Sequence, residues 1–216
     1  MPERIPIIRR KLIKWFEKHG RDYPWRHTGN PYKIMIAEFM LHRTKADQVL
    51  PVYVKFINKF PDIQSLSKAK PEEIRKYVAA LGLNWRYRHF IEAANYIIEK
   101  FSGIYPADLE LLKKIPGIGD YVASAIRILA FKKPSPAVDS NVARLINRFF
   151  NLQLIGEIRR KKDVINYSKL LFSTKRCDRL LFAIIDFTSL ICKPKNPECI
   201  KCFIKSYCGF YYDSKC

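Results

Sequence analysis

Apolar side chains recur along this chain at the three- and four-residue spacing of helices, and short polar or proline-bearing interruptions divide them into segments. Residues 4–18 set Ile7, Ile8, Leu12, Trp15 and Phe16 on one side among Arg and Lys, and Gly20 ends the pattern. Residues 21–32 mix aromatics and bases, and Pro24 and Pro31 predict no regular element there. Further helices are expected over 31–46, 48–59, 63–69, 71–82, 91–101, 109–115 and 120–131. In the fourth helix of this series Pro71 suits the first turn and Gly82 the C-cap. Asp139 then stands ahead of a helix carrying Val142, Leu145, Ile146 and Phe149. No alternating pattern runs beyond about four residues, so the chain is expected to be all-α, with about ten short helices.

Composition adds a partner class to this picture. The 216 residues hold 40 Lys and Arg against 20 Asp and Glu, a formal charge of +20 spread along the chain. With 48% hydrophobic residues the chain can bury a full core, so the charge belongs to a folded surface. Such a surface suits a polyanion, because neutralised phosphates release counterions and that release drives binding. The first residues lack the uncharged core of a signal peptide, and no run approaches the ~20 apolar residues of a membrane span. A soluble, intracellular protein without a membrane partner is expected, and in that compartment the six cysteines are not a disulfide framework.

Several residues sit where pattern alone does not explain them. Glu38 lies inside the run Ile34, Met35, Ile36, Ala37, Phe39, Met40 and Leu41, with no polar face to receive it. A carboxylate in that setting has its pKa raised and is a candidate general acid, or it is an edge residue paired with Arg43 or Lys45. In residues 21–32, Trp25 and Arg26 either touch a nucleic acid or pack and solvate in the ordinary way. The segment LNWRYRHF, from Leu83, suits stacking and phosphate contact, or it begins a helix whose Trp85 packs inward. Pro116, Gly117, Ile118 and Gly119 make a tight turn between two helices. The N–H groups of 117–119 at a helix N-terminus can hold a phosphate without reading sequence, with Lys113 and Lys114 adding charge. Asp139 is a natural N-cap, and the helix field is expected to keep it ionised, so capping and catalysis are compatible.

Cys192, Cys199, Cys202 and Cys208 fall in the pattern Cys-x6-Cys-x2-Cys-x5-Cys. Structural zinc more often uses two short knuckles joined by a longer linker. One irregular loop wrapping a compact object fits a cubane iron–sulfur cluster better, with zinc the alternative. Cys177 and Cys216 lie outside the pattern.

The turn IPGIGDYVA, the segment AVDSNVARLINR and the closing cysteine spacing, in that order, resemble the helix-hairpin-helix DNA glycosylases of the endonuclease III and MutY class. The likeness covers nearly the whole chain. It implies two helical lobes with a DNA-binding cleft between them. Residues 29–133 would form a six-helix lobe bearing the hairpin, and 1–28 with 134–216 a cluster lobe with a [4Fe–4S] loop over 192–208. Endonuclease III carries a lysine nucleophile where this chain has Tyr121, whose phenol forms no imine; hydrolysis without lyase activity is therefore implied. His42-Arg43-Thr44 and the short tail look more like the archaeal G·T mismatch thymine glycosylases than MutY, although His42 departs from their Arg.

The resemblance assigns roles residue by residue. Asp139 would stabilise the sugar cation or orient water, Glu38 would contact or protonate the leaving base, and Tyr121 would line the pocket. Arg43 and Leu83 would fill the stack as the target nucleotide flips out. Asn141 would position Asp139 or a phosphate, and His42 and Arg26 would touch DNA. The implied substrate is double-stranded DNA with a mismatched or damaged base, met by a monomer. Thymine, and also uracil, opposite guanine or 8-oxoguanine is the expected target, and adenine opposite 8-oxoguanine the alternative. From other classes, a non-catalytic structure-specific DNA binder and a zinc-stapled basic module remain open.

Overall fold

The computed structural model describes residues 3–82 and 87–213. Among them are twelve α-helices and four short 3-10 turns, with no β-strand and no helix long and apolar enough to cross a membrane. The chain divides into two compact units: Asp22–Phe131, and a discontinuous one made of Met1–Arg21 with Lys132–Cys216.

In the contiguous unit, α2 (Pro31–Leu41) is the central strut. Its residues Ile34, Met35, Ile36, Ala37, Phe39 and Met40 are all buried, because a helix apolar on every side needs neighbours all round. Asn30 starts it by accepting from the Tyr32 and Lys33 amides at 2.9 and 3.3 Å, with Pro31 in the first turn. Around it pack α3 (Ala46–Lys59) and α8 (Asp120–Leu129). α4 (Ile63–Ser67), α5 (Pro71–Val78) and α6 (Tyr87–Phe101) complete the layer. Phe39, Phe56, Phe60 and Phe90 form an aromatic cluster with ring centroids 4.9–5.4 Å apart. Such pairs add about 0.5–1.5 kcal/mol each beyond area burial.

Three local expectations change. The helix expected over 31–46 stops at Leu41, because His42 is extended and Arg43 takes φ +64°. Residues 21–32 do hold a regular piece, the 3-10 turn Pro24–Arg26, since proline suits a first turn. Within it Trp25 is core, stacked on Tyr23 at 4.8 Å and edge-on to Tyr53. Leu83 and Trp85 lie outside the described residues.

In the discontinuous unit, α1 (Arg4–His19) lies along α11 (Cys177–Leu190), joining Ile8, Leu12 and Phe16 to a core with Leu180, Leu181, Ile184 and Phe187. The fully buried Asp186 is paired by Arg21, whose amide and Nε both donate at 2.8 Å. α9 (Ser140–Phe150), α10 (Lys162–Phe172) and the short α12 (Gly209–Tyr212) close the unit. Trp15 stacks on Phe203 at 5.8 Å and meets Phe187 edge-on at 5.9 Å, so α1 grips the cysteine-bearing loop directly.

Candidate functional site

The hairpin sits in the contiguous unit between α7 (Leu109–Lys113), capped by Asp108, and α8. Ile115 to Ile118 is a type II turn: Pro116 in second place, Gly117 in third at φ +79°, and the Ile118 amide donating to the Ile115 carbonyl at 3.0 Å. This corrects the expectation that all three amides of 117–119 are available. The Ile118 N–H is spent in the turn and its side chain is buried. What remains is the exposed Gly119 and the first turn of α8, which no side chain caps. Lys113 is also less available than its charge suggests, since it pairs with Glu110 and Asp120 at 3.0 and 3.3 Å.

The two glycines do different work. A Cβ on Gly117 would meet His89 Cβ at 2.9 Å and Phe39 Cζ at 3.2 Å, besides being strained at its positive φ. Gly119 has φ −89° and nothing within 4 Å of such a Cβ. Gly117→Ala is therefore expected to cost about 1–2 kcal/mol for the left-handed backbone, plus the clash. At about 2–4 °C per kcal/mol its melting temperature should fall by several degrees. Gly119→Ala should melt like wild type yet bind DNA more weakly, because the added methyl blocks close approach. Equal melting of the two variants would contradict this division.

Elsewhere in this unit, Glu38 is half-buried on α2, beside the Phe39 that reaches the hairpin turn, and Tyr121 is half-buried in the first turn of α8. Arg43 and His42 are exposed after α2, and Arg26 lies 5.2 Å over the Tyr23 ring. A non-glycine at positive φ, as at Arg43, is a strained position of the kind that clusters at binding sites.

Asp139 is the N-cap of α9. Its Oδ1 accepts from the Asn141 and Val142 amides at 2.9 and 2.8 Å, and its Oδ2 from Asn141 Nδ2 at 2.7 Å. Against the expectation of a carboxylate kept fully ionised by the helix, burial pushes its pKa up. The three hydrogen bonds and Arg144 recover only part of that shift. The network continues outward. Asn141 Oδ1 accepts from Arg144 at 2.9 Å, and Arg144 donates to the Cys192 carbonyl and the Thr188 carbonyl, both at 3.0 Å. One turn on, Arg148 donates to the Lys193 and Pro194 carbonyls at 2.7 and 3.0 Å and lies 3.5 Å from Cys192 Sγ. Neither arginine was among the residues expected to matter. Their i,i+4 spacing, which puts both on one face of α9, is the signal that could have found them.

Cys192, Cys199, Cys202 and Cys208 line one small cavity, closed by Phe149, Phe187 and Phe210. Among the described residues no three His, Cys, Asp or Glu groups converge on a point that could hold a single ion. Of the four cysteines, Cys192, Cys202 and Cys208 are free thiols and Cys199 is disulfide-bonded, which departs from the expectation that the cysteines form no disulfide. With all four reduced, the apolar-walled cavity would present the four thiolates that a cubane takes. Burial raises the Cys202 thiol to about 11 and the Cys208 thiol above its ordinary value, so with no metal these sulfurs are protonated. Cys177 is buried at the start of α11, outside the cavity.

The chain and its fold are similar to known proteins. A thymine-DNA glycosylase of Aeropyrum pernix is 32% identical, with 96% of each chain covered. An adenine DNA glycosylase of Buchnera aphidicola (strain Bp) is also 32% identical, over 97% of this chain and 60% of its own length. The solved structure of a thermostable thymine-DNA glycosylase superposes with a TM-score of 0.92 at 31% identity, covering 99% of this chain and 98% of that one. Residues 36–168, which run from the middle of α2 through the hairpin and Asp139 into α10, match the family described as HhH-GPD superfamily base excision DNA repair protein. The chain belongs to that superfamily.

Proposed function

We propose that the protein is a monofunctional DNA glycosylase, hydrolysing the N-glycosidic bond of thymine, and of uracil, opposite guanine or 8-oxoguanine in duplex DNA. The observation that carries this reading is Asp139, a carboxylate held in place by three donors on a helix whose N-terminus needs only one cap. Breaking the bond from C1′ to the base builds positive charge on the sugar and negative charge on the base. Asp139 stabilises the sugar cation and orients the water whose oxygen bonds C1′; the proton that water loses passes through solvent and replaces the one Glu38 gives to the base. Glu38 contacts the leaving base and protonates it. Tyr121 lines the pocket beside the sugar, and without an amine there no covalent imine forms. Uracil follows from thymine because a pocket shaped for the 5-methyl group rejects its absence only weakly.

Duplex DNA would be gripped at the Gly119 end of the hairpin, with Arg43, His42 and Arg26 as further contacts and Arg43 and Leu83 filling the stack vacated by the flipped nucleotide. The four cysteines would hold a [4Fe–4S] cluster. When bound, it would supply a rigid cross-link of the loop, with the ligating thiols giving up their protons to solvent. Arg144 and Arg148 tie that loop to the helix that carries Asp139.

A single-turnover panel of G·T, G·U, 8-oxoguanine·T and 8-oxoguanine·A duplexes, developed with alkali, tests the proposal. Alkali-labile sites opposite guanine, with no adduct trapped by borohydride, are the expected result. Cleavage confined to adenine would favour the adenine-glycosylase reading, and binding with no base release the non-catalytic one.

A further inference from the structure

The loop between α9 and α10 plays no part in the mechanism above. Its tip carries Ile155, 87% exposed, followed by Gly156 at φ +74° in open space. Among the described residues none covers this isoleucine. Four cations then follow one another, Arg159, Arg160, Lys161 and Lys162, all exposed. The 3-10 turn Ile158–Arg160 packs on both α9 and α10, which fixes the run on the unit that bears Asp139.

The fold accounts for only one of the four. Glu157 accepts from Arg159 Nε at 2.8 Å and from its amide at 3.1 Å, and this partner holds the Glu157 carboxyl down to about 2. Among the described residues the side chains of Lys161 and Lys162 make no ion pair. Both stand at the start of α10, where the helix field disfavours cations, and Lys161 offers its helix no side-chain acceptor. Arg160, Lys161 and Lys162 thus repel one another, flanked by the carboxylates of Glu157 and Asp163 but, among the described residues, in an ion pair with neither. The packing of the 3-10 turn on α9, the helix that Asp139 caps, is what ties the run to the carboxylate.

We propose that this loop is a second, sequence-independent contact to the DNA backbone, in which Arg160, Lys161 and Lys162 take phosphates flanking the nucleotide that Asp139 acts on. The inference rests on the glycosylase reading for its ligand, and its test is one of binding rather than turnover. Each phosphate contact contributes about 0.9 to the slope of log K against log salt on duplex DNA. The variant carrying Arg160→Gln, Lys161→Gln and Lys162→Gln is compared with one carrying Arg10→Gln, Lys14→Gln and Lys18→Gln, equal in net charge and altered on the exposed side of α1. Dissociation constants for a matched duplex are measured across a salt series, with melting temperatures checked for all proteins. The loop variant is expected to melt at or above wild type, to bind at least tenfold more weakly than the α1 variant, and to show a slope shallower by about 2–3. Two variants with the same affinity and slope overturn the proposal. A wild-type protein that binds duplex but releases no base refutes the glycosylase reading and leaves the loop result standing.

Discussion

An Asp139→Asn protein is expected to bind a G·T duplex within a fewfold of wild type while base release falls by about a thousandfold or more. Removing one preorganised electrostatic partner of a transition state costs ~10²–10³ in rate, and here the partner carries a full charge. The substitution separates the two jobs of this residue, because Asn caps helices as well as Asp. The bond from Asn141 Nδ2 is lost, at about 1 kcal/mol. Relief from burying a charge offsets a similar amount, so the melting temperature should stay within a few degrees. The pH profile follows from the same geometry. Burial raises the folded pKa above the ordinary 3.8, so ionisation opposes folding: the stabilising contribution is present below 3.8 and lost as pH rises through the raised value. Activity runs the other way, since the chemistry needs the carboxylate. The single-turnover rate should fall with decreasing pH through an apparent pKa above 3.8. An acid limb at or below that value, or turnover unchanged in the variant, would remove Asp139 from the mechanism.

Replacing Cys202 with serine is expected to have the largest effect on stability. Four sulfurs face one cavity from this loop, which is otherwise pinned by the stack of Phe203 on Trp15, by the buried Ile204, and by bonds from Arg4, Arg144 and Arg148. Structural metal sites contribute roughly 10–16 kcal/mol of apparent folding energy. Losing even a quarter of that lowers the melting temperature by about 5–15 °C at about 2–4 °C per kcal/mol. The variant should also lose the broad brown absorption of an iron–sulfur protein. A colourless wild type that loses stability on Cys202→Ser would point to zinc, and a colourless one whose melting is indifferent to it to no metal at these sulfurs. Base release should fall along with stability, because the Cys192 carbonyl anchors the arginine that braces Asn141, which in turn holds Asp139.

Much of this molecule was legible before any coordinates. The all-α class, the course of α1, the cap at Asp139 and the buried run around Glu38 follow from periodicity and capping chemistry, which are local. What escaped depends on contacts far apart in sequence. Nothing near Gly117 announces that His89 stands against it, so the two hairpin glycines look equivalent on paper. The pKa of Asp139 could not be read from the helix field alone, because desolvation by the surrounding fold outweighs it. Lys113 reads as a phosphate ligand until Asp120 is seen beside it. The end of α2 at Leu41 is a different case: the polar run His42 to Lys45 was there to be read, but the left-handed backbone of Arg43 that breaks the helix was not.

The stack of Trp15 on Phe203 has a consequence for biosynthesis. At about 5–20 residues per second, the first helix waits roughly 10–40 s on the ribosome for the loop that buries its indole. The contiguous unit Asp22–Phe131 meanwhile has all of its residues. A nascent chain stopped before α11 would thus present a finished hairpin but an open α1, with Ile8, Leu12 and Phe16 uncovered. Protease digestion of arrested chains should show the middle of the protein resisting first and its beginning last.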